Sequence, residues 1–365
     1  MVSLVGATPA TATAISTTTS TTTSTVTSTV PWTAPLALTV TEGTLAAVAA
    51  SDVDGNPVAG TVVNATTWHS SALSLLPGAP YQLYATVADA KGHWSTQALT
   101  ATTARAVHYL HATISPDDNA VAGVGLPVIV TLDGAVTSPQ ARAAVIARLT
   151  VVTTPAVQGA WRWMSPNELH YRGANYWASG TKISAGADLS RLQLPDGTWG
   201  EGTHTSSWSV GRSFVSTVDN QTHLMTSRRD GTIVRVMKAS LGRPGYDTYG
   251  GAHLVLEKQA SLVMDSATTG HVLGDKDYYR ETVLWTVRIS YGGTFVHAAP
   301  WSVQDQGVRN VSHGCINISP TDGQWYFGQV RRGDVVDVVN AALGPKRDDP
   351  GMSDWNYSFA QWKTA

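Results

Sequence analysis

Cysteine is almost missing from this chain. Cys315 is the only one in 365 residues. No intramolecular disulfide can form, which is compatible with an oxidising compartment where spare thiols are a hazard. Charge is sparse as well. Asp, Glu, Lys and Arg make up 14% of the residues and the net charge is −2, so no nucleic-acid or other polyanion partner is implied. No apolar run reaches the roughly 18 residues that a membrane-spanning helix needs. The apolar start, Met1 to Ala14, has no basic segment and does not read as a secretory signal. If the protein is exported, the signal has been removed or replaced.

Gly, Thr, Ser and Ala are abundant, and Thr and Val with little charge point towards β-rich, extracytoplasmic modules. The length predicts two or three domains. Thr11 to Val30 is nearly all Thr and Ser and cannot bury enough apolar surface to offset its ordering entropy. Residues 1–34 are therefore expected to be a flexible tether, suited to N-terminal anchoring. Residues 35–106 carry short alternating runs, such as Tyr81 to Val87 and Trp94 to Thr100, separated by turn signals at Asp54-Gly55-Asn56-Pro57, Pro77-Gly78 and Lys91-Gly92. That spacing predicts an immunoglobulin-like β-sandwich. Residues 107–212 repeat the pattern, with a short helix possible over Arg142 to Leu149. Its aromatics, Trp161, Trp163, Tyr171, Tyr176 and Trp177, could line a glycan-binding face or pack between sheets.

Residues 213–345 form the third expected domain. Asp230-Gly231 marks a hairpin, and strands are expected over His253 to Val263, Val283 to Tyr291 and Val335 to Val339. Ser319, Pro320 and Asp322 read as a helix cap, first position and first turn, with the helix ending near Arg331 to Gly333. The tail, 346–365, carries Trp355 and Trp362 and is expected to pack back onto this domain.

The chemistry concentrates in FVHAAPWSVQDQGVRNVSHGCIN, Phe295 to Asn317. A free thiol has a pKa near 8.5, so little thiolate exists at neutrality. An imidazole can take its proton, and backbone N–H groups can hold the oxyanion that forms. Cys315 is read as the nucleophile and His297 as its base, placed on a neighbouring strand. Gly314 lets the backbone approach a substrate carbonyl. His313, beside the turn, is read as supporting the loop. Asn317 offers an amide to substrate or loop. A zinc site from His297, His313 and Cys315 is the competing reading, but structural zinc usually takes four ligands and no second cysteine exists. No metal or organic cofactor is expected.

The sequence Ser312-His313-Gly314-Cys315-Ile316-Asn317, with His297 upstream, resembles the signature of the L,D-transpeptidases, the YkuD-type cysteine enzymes of bacterial cell walls. FVHAAPW, SHGCINISP and GDVVDVVN resemble the actinobacterial branch. The resemblance implies a mainly β protein: two immunoglobulin-like modules, then a YkuD-type catalytic domain with a short helix after the nucleophile. It implies an active-site lid from Val263 to Tyr279, with Met264 packing under it. Tyr279 corresponds to the lid tyrosine, and Gly292 and Gly293 to a substrate-contacting position. The oxyanion hole falls to the N–H groups of Gly314 and Cys315. The carbonyl of Ala298, where serine is more usual, would orient the imidazole. The segment Tyr246 to Gly251 departs from the usual turn.

The implied reaction transfers a peptidoglycan stem from its terminal D-alanine to an amine on a second stem, giving a 3→3 cross-link through a thioester. Donor and acceptor stem peptides are the implied partners, carbapenem-type β-lactams the inhibitors, the cell envelope the place, and a monomer the state. Water as acceptor would make a carboxypeptidase. A wall-binding scaffold with an idle site is a second alternative. A papain-like hydrolase is a third, but there the cysteine generally precedes the histidine in the chain.

Overall fold

A computed structural model describes residues 2–4, 27–32, 34–71, 75–269, 273–276, 278–348 and 353–364. Strands dominate, as expected, and they gather into two compact units: 1–110 with 190–201, and 111–189 with 202–365.

The first unit is a sandwich of two four-stranded sheets. One runs Val2–Leu4, Ala37–Val40, Thr67–Ser70, Gly60–Asn64. The other runs Thr27–Val30, Trp94–Thr103, Pro80–Ala88, Thr44–Ser51. Strict alternation builds its core: Tyr81, Leu83, Ala85 and Val87 point inward from one strand. The expected tether through residue 34 needs correcting at both ends. Val2 and Leu4 are buried and pair with Ala37–Val40, and Thr27–Val30 pairs in parallel with Trp94–Thr103. Val30, 2% exposed, has core to join. The Ser/Thr run between them, 5–26, lies outside the described residues. Segment 190–201 belongs to this unit, where Thr198–Gly200 runs parallel to His108–Leu110.

The second unit opens with another sandwich. Its sheets are Ala112–Ser115, Val128–Leu132, Glu168–Gly173, Gly159–Ser165 and Val121–Ala122, Thr203–Val210, Lys182–Asp188, Leu149–Thr154. The helix Pro139–Ile146 is capped by the Ser138 side chain and starts on proline. The aromatics of this module take packing roles. Trp161 meets Tyr171 at 5.2 Å between centroids, Arg142 lies over Trp163, and the Trp177 indole donates to the Leu126 carbonyl.

A nine-stranded sheet follows: Gly251–Leu254, Val335–Val339, Phe214–Asp219, Leu224–Arg229, Thr232–Ser240, Ile316–Ile318, Phe295–Ala298, Arg280–Arg288, Glu257–Asp265. Asp230 and Gly231 both take positive φ at the expected hairpin, 48° and 81°. The continuous strand expected over His253 to Val263 is instead two strands on opposite edges of the sheet. Val255 N–H donates to Asp334 and Leu256 N–H to Arg288, so the chain crosses the sheet between them. The helix Pro320–Gln329 is capped by Ser319 and packs on one face, with Tyr326 fully buried. Gly323 permits the close approach, since a Cβ there would meet the Ala298 Cβ at 3.0 Å. Among the described residues, no helix is long and apolar enough to cross a membrane.

The tail reaches further than the sequence suggests. Its tryptophans dock on the second sandwich: the Trp355 indole donates to Gly125 O and the Trp362 indole to Ala160 O, 2.7 and 2.8 Å. Asn356 accepts from Ala252 N on the edge of the large sheet. Arg172, 1% exposed, donates to Tyr357 O and lies over the rings of Trp355 and Trp362. Indole N–H groups seek acceptors when buried, and the sandwich strands supply them. A buried ionic contact completes the joint. His170 Nδ1 lies 2.8 Å from Asp354 and Nε2 lies 3.1 Å from Glu168. Burial alone would lower the His170 pKa, but the Asp354 charge and the two carboxylate bonds outweigh it and raise it to about 9.

The sign of that shift sets a test. The folded pKa of His170 lies above its ordinary value of 6.5, so its contribution is complete below pH 6.5 and is lost as pH rises through about 9. Asp354→Asn should cost about 3 kcal/mol at pH 6. It should also flatten the fall in Tm between pH 6.5 and 9. Equal slopes in variant and parent would contradict this account of the joint.

Candidate active site

Strand register decides which side chains meet. Phe295–Ala298 pairs in parallel with Ile316–Ile318, with His297 opposite Asn317. Side chains alternate faces along a strand, and paired residues share a face. His297 and Asn317 therefore point one way, and Cys315, two residues before Asn317, points with them. Val296, Ile316 and Ile318 point the other way, into the core with Tyr326. The loop 299–315 then folds back over the reactive face and buries His297 to 3% exposure.

His297 Nδ1 donates to the Ala298 carbonyl at 3.0 Å. Donation to a carbonyl requires the proton on Nδ1, which leaves the Nε2 lone pair as a base. Burial lowers the His297 pKa to about 4, so the ring is neutral near pH 7. Burial also raises the Cys315 thiol to about 11, against the opposing pull of the Phe295 N–H and the Arg288 charge. The resting pair is thus thiol and neutral imidazole. The sulfur donates to Gly293 O at 3.8 Å. It makes no hydrogen bond to His297 among the described residues, though both line one cavity.

The loop around the sulfur is tightly tied. Ser312 Oγ donates to Cys315 O at 2.6 Å and accepts from Gly314 N at 3.1 Å. Gly314 takes φ +115°, a conformation few side chains tolerate. Thr248, in the atypical Tyr246 to Gly251 segment, accepts from Gly242 N and donates to Gly314 O at 2.9 Å. His313 Nε2 lies 2.8 Å from Arg243 Nη1, and its ring sits between those of Tyr246 and Tyr279. It is turned to this cluster. Among the described residues, no group of three metal-ligating side chains is placed to hold an ion.

The Gly314 N–H, expected in the oxyanion hole, is engaged by Ser312 in this structure. The Cys315 N–H and the Tyr279 hydroxyl are the remaining donors beside the sulfur. Burial, helped by the charge a Cys315 thiolate would carry, raises the Tyr279 pKa to about 12, so the hydroxyl keeps its proton. Ser266 accepts from Tyr279 N and donates to Tyr279 O, which ties the two ends of the lid segment together. Residues 270–272 and 277 of that segment lie outside those described.

Two cavities meet at Cys315. One, about 320 Å³, is lined by Glu281, His297, Trp301, Asp305 and Asn317 among others. The other, about 430 Å³, is lined by Arg288, Tyr291, Gly292, Gly293 and Phe295 among others. Met264 and Tyr279 line both. Gly292 and Gly293 also form the turn between two strands: Gly292 N donates to the Ser290 hydroxyl, and Gly293 takes φ +97°. Sequence reasoning missed Trp301, 6.0 Å from the His297 ring, and Ser302, which accepts from Asn317 Nδ2. Both lie in the quoted stretch, but only the returning loop reveals them. Asn317 Oδ1 is buried and has no hydrogen-bond partner among the described residues.

Both parts of the chain are similar to known proteins. A family described as bacterial Ig domain matches residues 27–193, and one described as L,D-transpeptidase catalytic domain matches residues 213–338. L,D-transpeptidase 2 of Mycobacterium tuberculosis is 34% identical over 329 residues, covering 90% of this chain and 80% of that protein. A solved L,D-transpeptidase in complex with imipenem is 35% identical, covering 62% of this chain and 97% of its own, with a TM-score of 0.56. L,D-transpeptidase 3 of M. tuberculosis with a faropenem-derived adduct is 32% identical, covering 62% and 96%, with a TM-score of 0.53.

Two substitutions test the local geometry. The Ala298 side chain points to the helix at Gly323, away from the imidazole. Ala298→Ser should leave kcat/KM within about threefold, since its carbonyl is unchanged. A tenfold gain would show that the hydroxyl contributes. Gly314→Ala should cost about 1–2 kcal/mol of stability from its positive φ and should cut turnover. An unaffected enzyme would show that the loop relaxes freely.

Proposed function

This chain belongs to the L,D-transpeptidase family, and from that premise we propose that it forms 3→3 cross-links between peptidoglycan stems through a Cys315 thioester. The two cavities meeting at one sulfur support this reading most directly, because a ping-pong transfer needs room for a donor and an acceptor.

In the proposed first step, Sγ attacks the carbonyl of the third stem residue and its proton passes to His297 Nε2. The Cys315 N–H and the Tyr279 hydroxyl stabilise the oxyanion, and each such donor is worth about 10²–10³ in rate. Collapse breaks the amide bond. His297 returns the proton to the departing amine of D-alanine, leaving a neutral imidazole beside the thioester. In the second step an amine of another stem loses its proton to Nε2, attacks the thioester carbonyl and regenerates the thiol. Thiol and imidazole suffice for each proton and bond. The Ala298 carbonyl acts by holding the Nδ1–H tautomer. Gly292, Gly293, Met264 and Asn317 shape the approach. Ser312 and His313 position the loop.

The family acts on the cell wall, so we place the protein in the cell envelope, with its two sandwiches as spacers. Two relatives carry a carbapenem or a penem-derived adduct, and imipenem should likewise acylate Cys315, seen as a mass shift confined to that residue.

Incubation with a disaccharide-tetrapeptide, read by mass spectrometry, tests the reaction. Dimer with released D-alanine is expected. Tripeptide monomer alone would mean water is the acceptor, and no change with intact wall binding would mean a scaffold. Cys315→Ala should abolish turnover without altering thermal unfolding, and retained turnover would remove the proposed nucleophile.

A further inference from the structure

One row of side chains crosses four strand positions on the reactive face. Glu257 pairs with Arg288, Arg288 pairs with Phe295, and the register of Phe295–Ala298 with Ile316–Ile318 places Phe295 beside Cys315. Residues paired in this way share a face. Arg288 Nε donates to Glu257 at 2.6 Å, and its guanidinium lies over the Phe295 ring at 4.4 Å. The side chain is only 22% exposed, and both contacts fix its plane. Neither terminal nitrogen makes a hydrogen bond among the described residues, and the group lines the 430 Å³ cavity that ends at the sulfur.

The two cavities differ in charge. Glu281 and Asp305 line the one that holds His297; Asp305 is paired with Arg309 at 2.6 Å, and Glu281 is left to meet an incoming amine. Arg288 lines the other. Asp265 is also there, but it accepts from Ala267 N and lies 3.7 Å from Arg280 at the foot of the lid segment. A planar guanidinium with two open N–H edges matches a carboxylate. We propose that Arg288 is a specificity-determining residue that binds the terminal carboxylate of the donor stem, one residue beyond the bond that Cys315 cleaves.

The spacing fits. Two strand intervals separate Arg288 from Cys315, about 10 Å between backbones, and the guanidinium lies over Phe295, the residue between them. One further residue of extended peptide adds about 3.5 Å. A stem that ends after its fourth residue therefore brings its carboxylate to the guanidinium. A longer or amidated stem brings no carboxylate to the terminal nitrogens. The nearness of Arg288 to the sulfur also shows in its pull on the thiol.

This inference rests on the transpeptidase reading, and one experiment separates the two. D-alanine or D-alaninamide release is measured from a tetrapeptide donor with a free C-terminal carboxylate and from the same donor as its C-terminal amide. The parent enzyme should favour the carboxylate by about 10- to 100-fold in kcat/KM. Arg288→Gln should bring the two within about threefold, chiefly by losing the carboxylate donor. If that variant fails to fold, Arg288→Lys keeps the charge without the fork and should show an intermediate ratio. An unchanged ratio in a folded variant would overturn the anchor while leaving the transpeptidase reading intact. No release from either donor by the parent enzyme would overturn both.

Discussion

The parallel pairing of the histidine strand with the strand that follows Cys315 sets everything else in the site. Opposing His297 to Asn317 puts the imidazole, the amide and the sulfur on one face and Val296, Ile316 and Ile318 on the other. A slip of one residue would turn the sulfur into the core and an isoleucine onto the reactive face. The buried aliphatic layer against the helix Pro320–Gln329 holds that register, so the core of the domain and the geometry of its chemistry are one constraint.

Burial then decides the protonation states. It lowers the imidazole to about 4 and raises the thiol to about 11, which favours two neutral partners over an ion pair at rest. Such a thiol is inert until a substrate carbonyl arrives. In the proposed reaction charge develops only during attack, where the Cys315 N–H and the Tyr279 hydroxyl would take it.

Much of this was legible in the sequence. The Ser312 to Asn317 motif, the cap at Ser319, the hairpin at Asp230-Gly231 and the final strand Val335–Val339 are local signals, and each sits where its residues indicate. What stayed hidden is long-range. Nothing between His253 and Val263 breaks the strand pattern, yet the chain crosses the sheet there, because Asp334 and Arg288 offer acceptors on either side. Val2–Leu4 and Thr27–Val30, three and four residues long, are too short to announce strands, and only the sandwich they complete makes them so. Trp301, Ser302 and Arg288 enter the site by loop return and strand register, neither of which a single sequence encodes openly. The tail tryptophans gave a sign of burial but not of their partner, the second sandwich.

The account depends most on His297 being a neutral base, protonated on Nδ1, in the resting enzyme. Nitrogen-15 NMR of the imidazoles at pH 7, with His297 assigned by a His297→Gln variant, reads this directly. The account predicts one protonated Nδ1 and one bare Nε2, with titration only near pH 4. An imidazolium at pH 7, paired with a Cys315 thiolate, would contradict it.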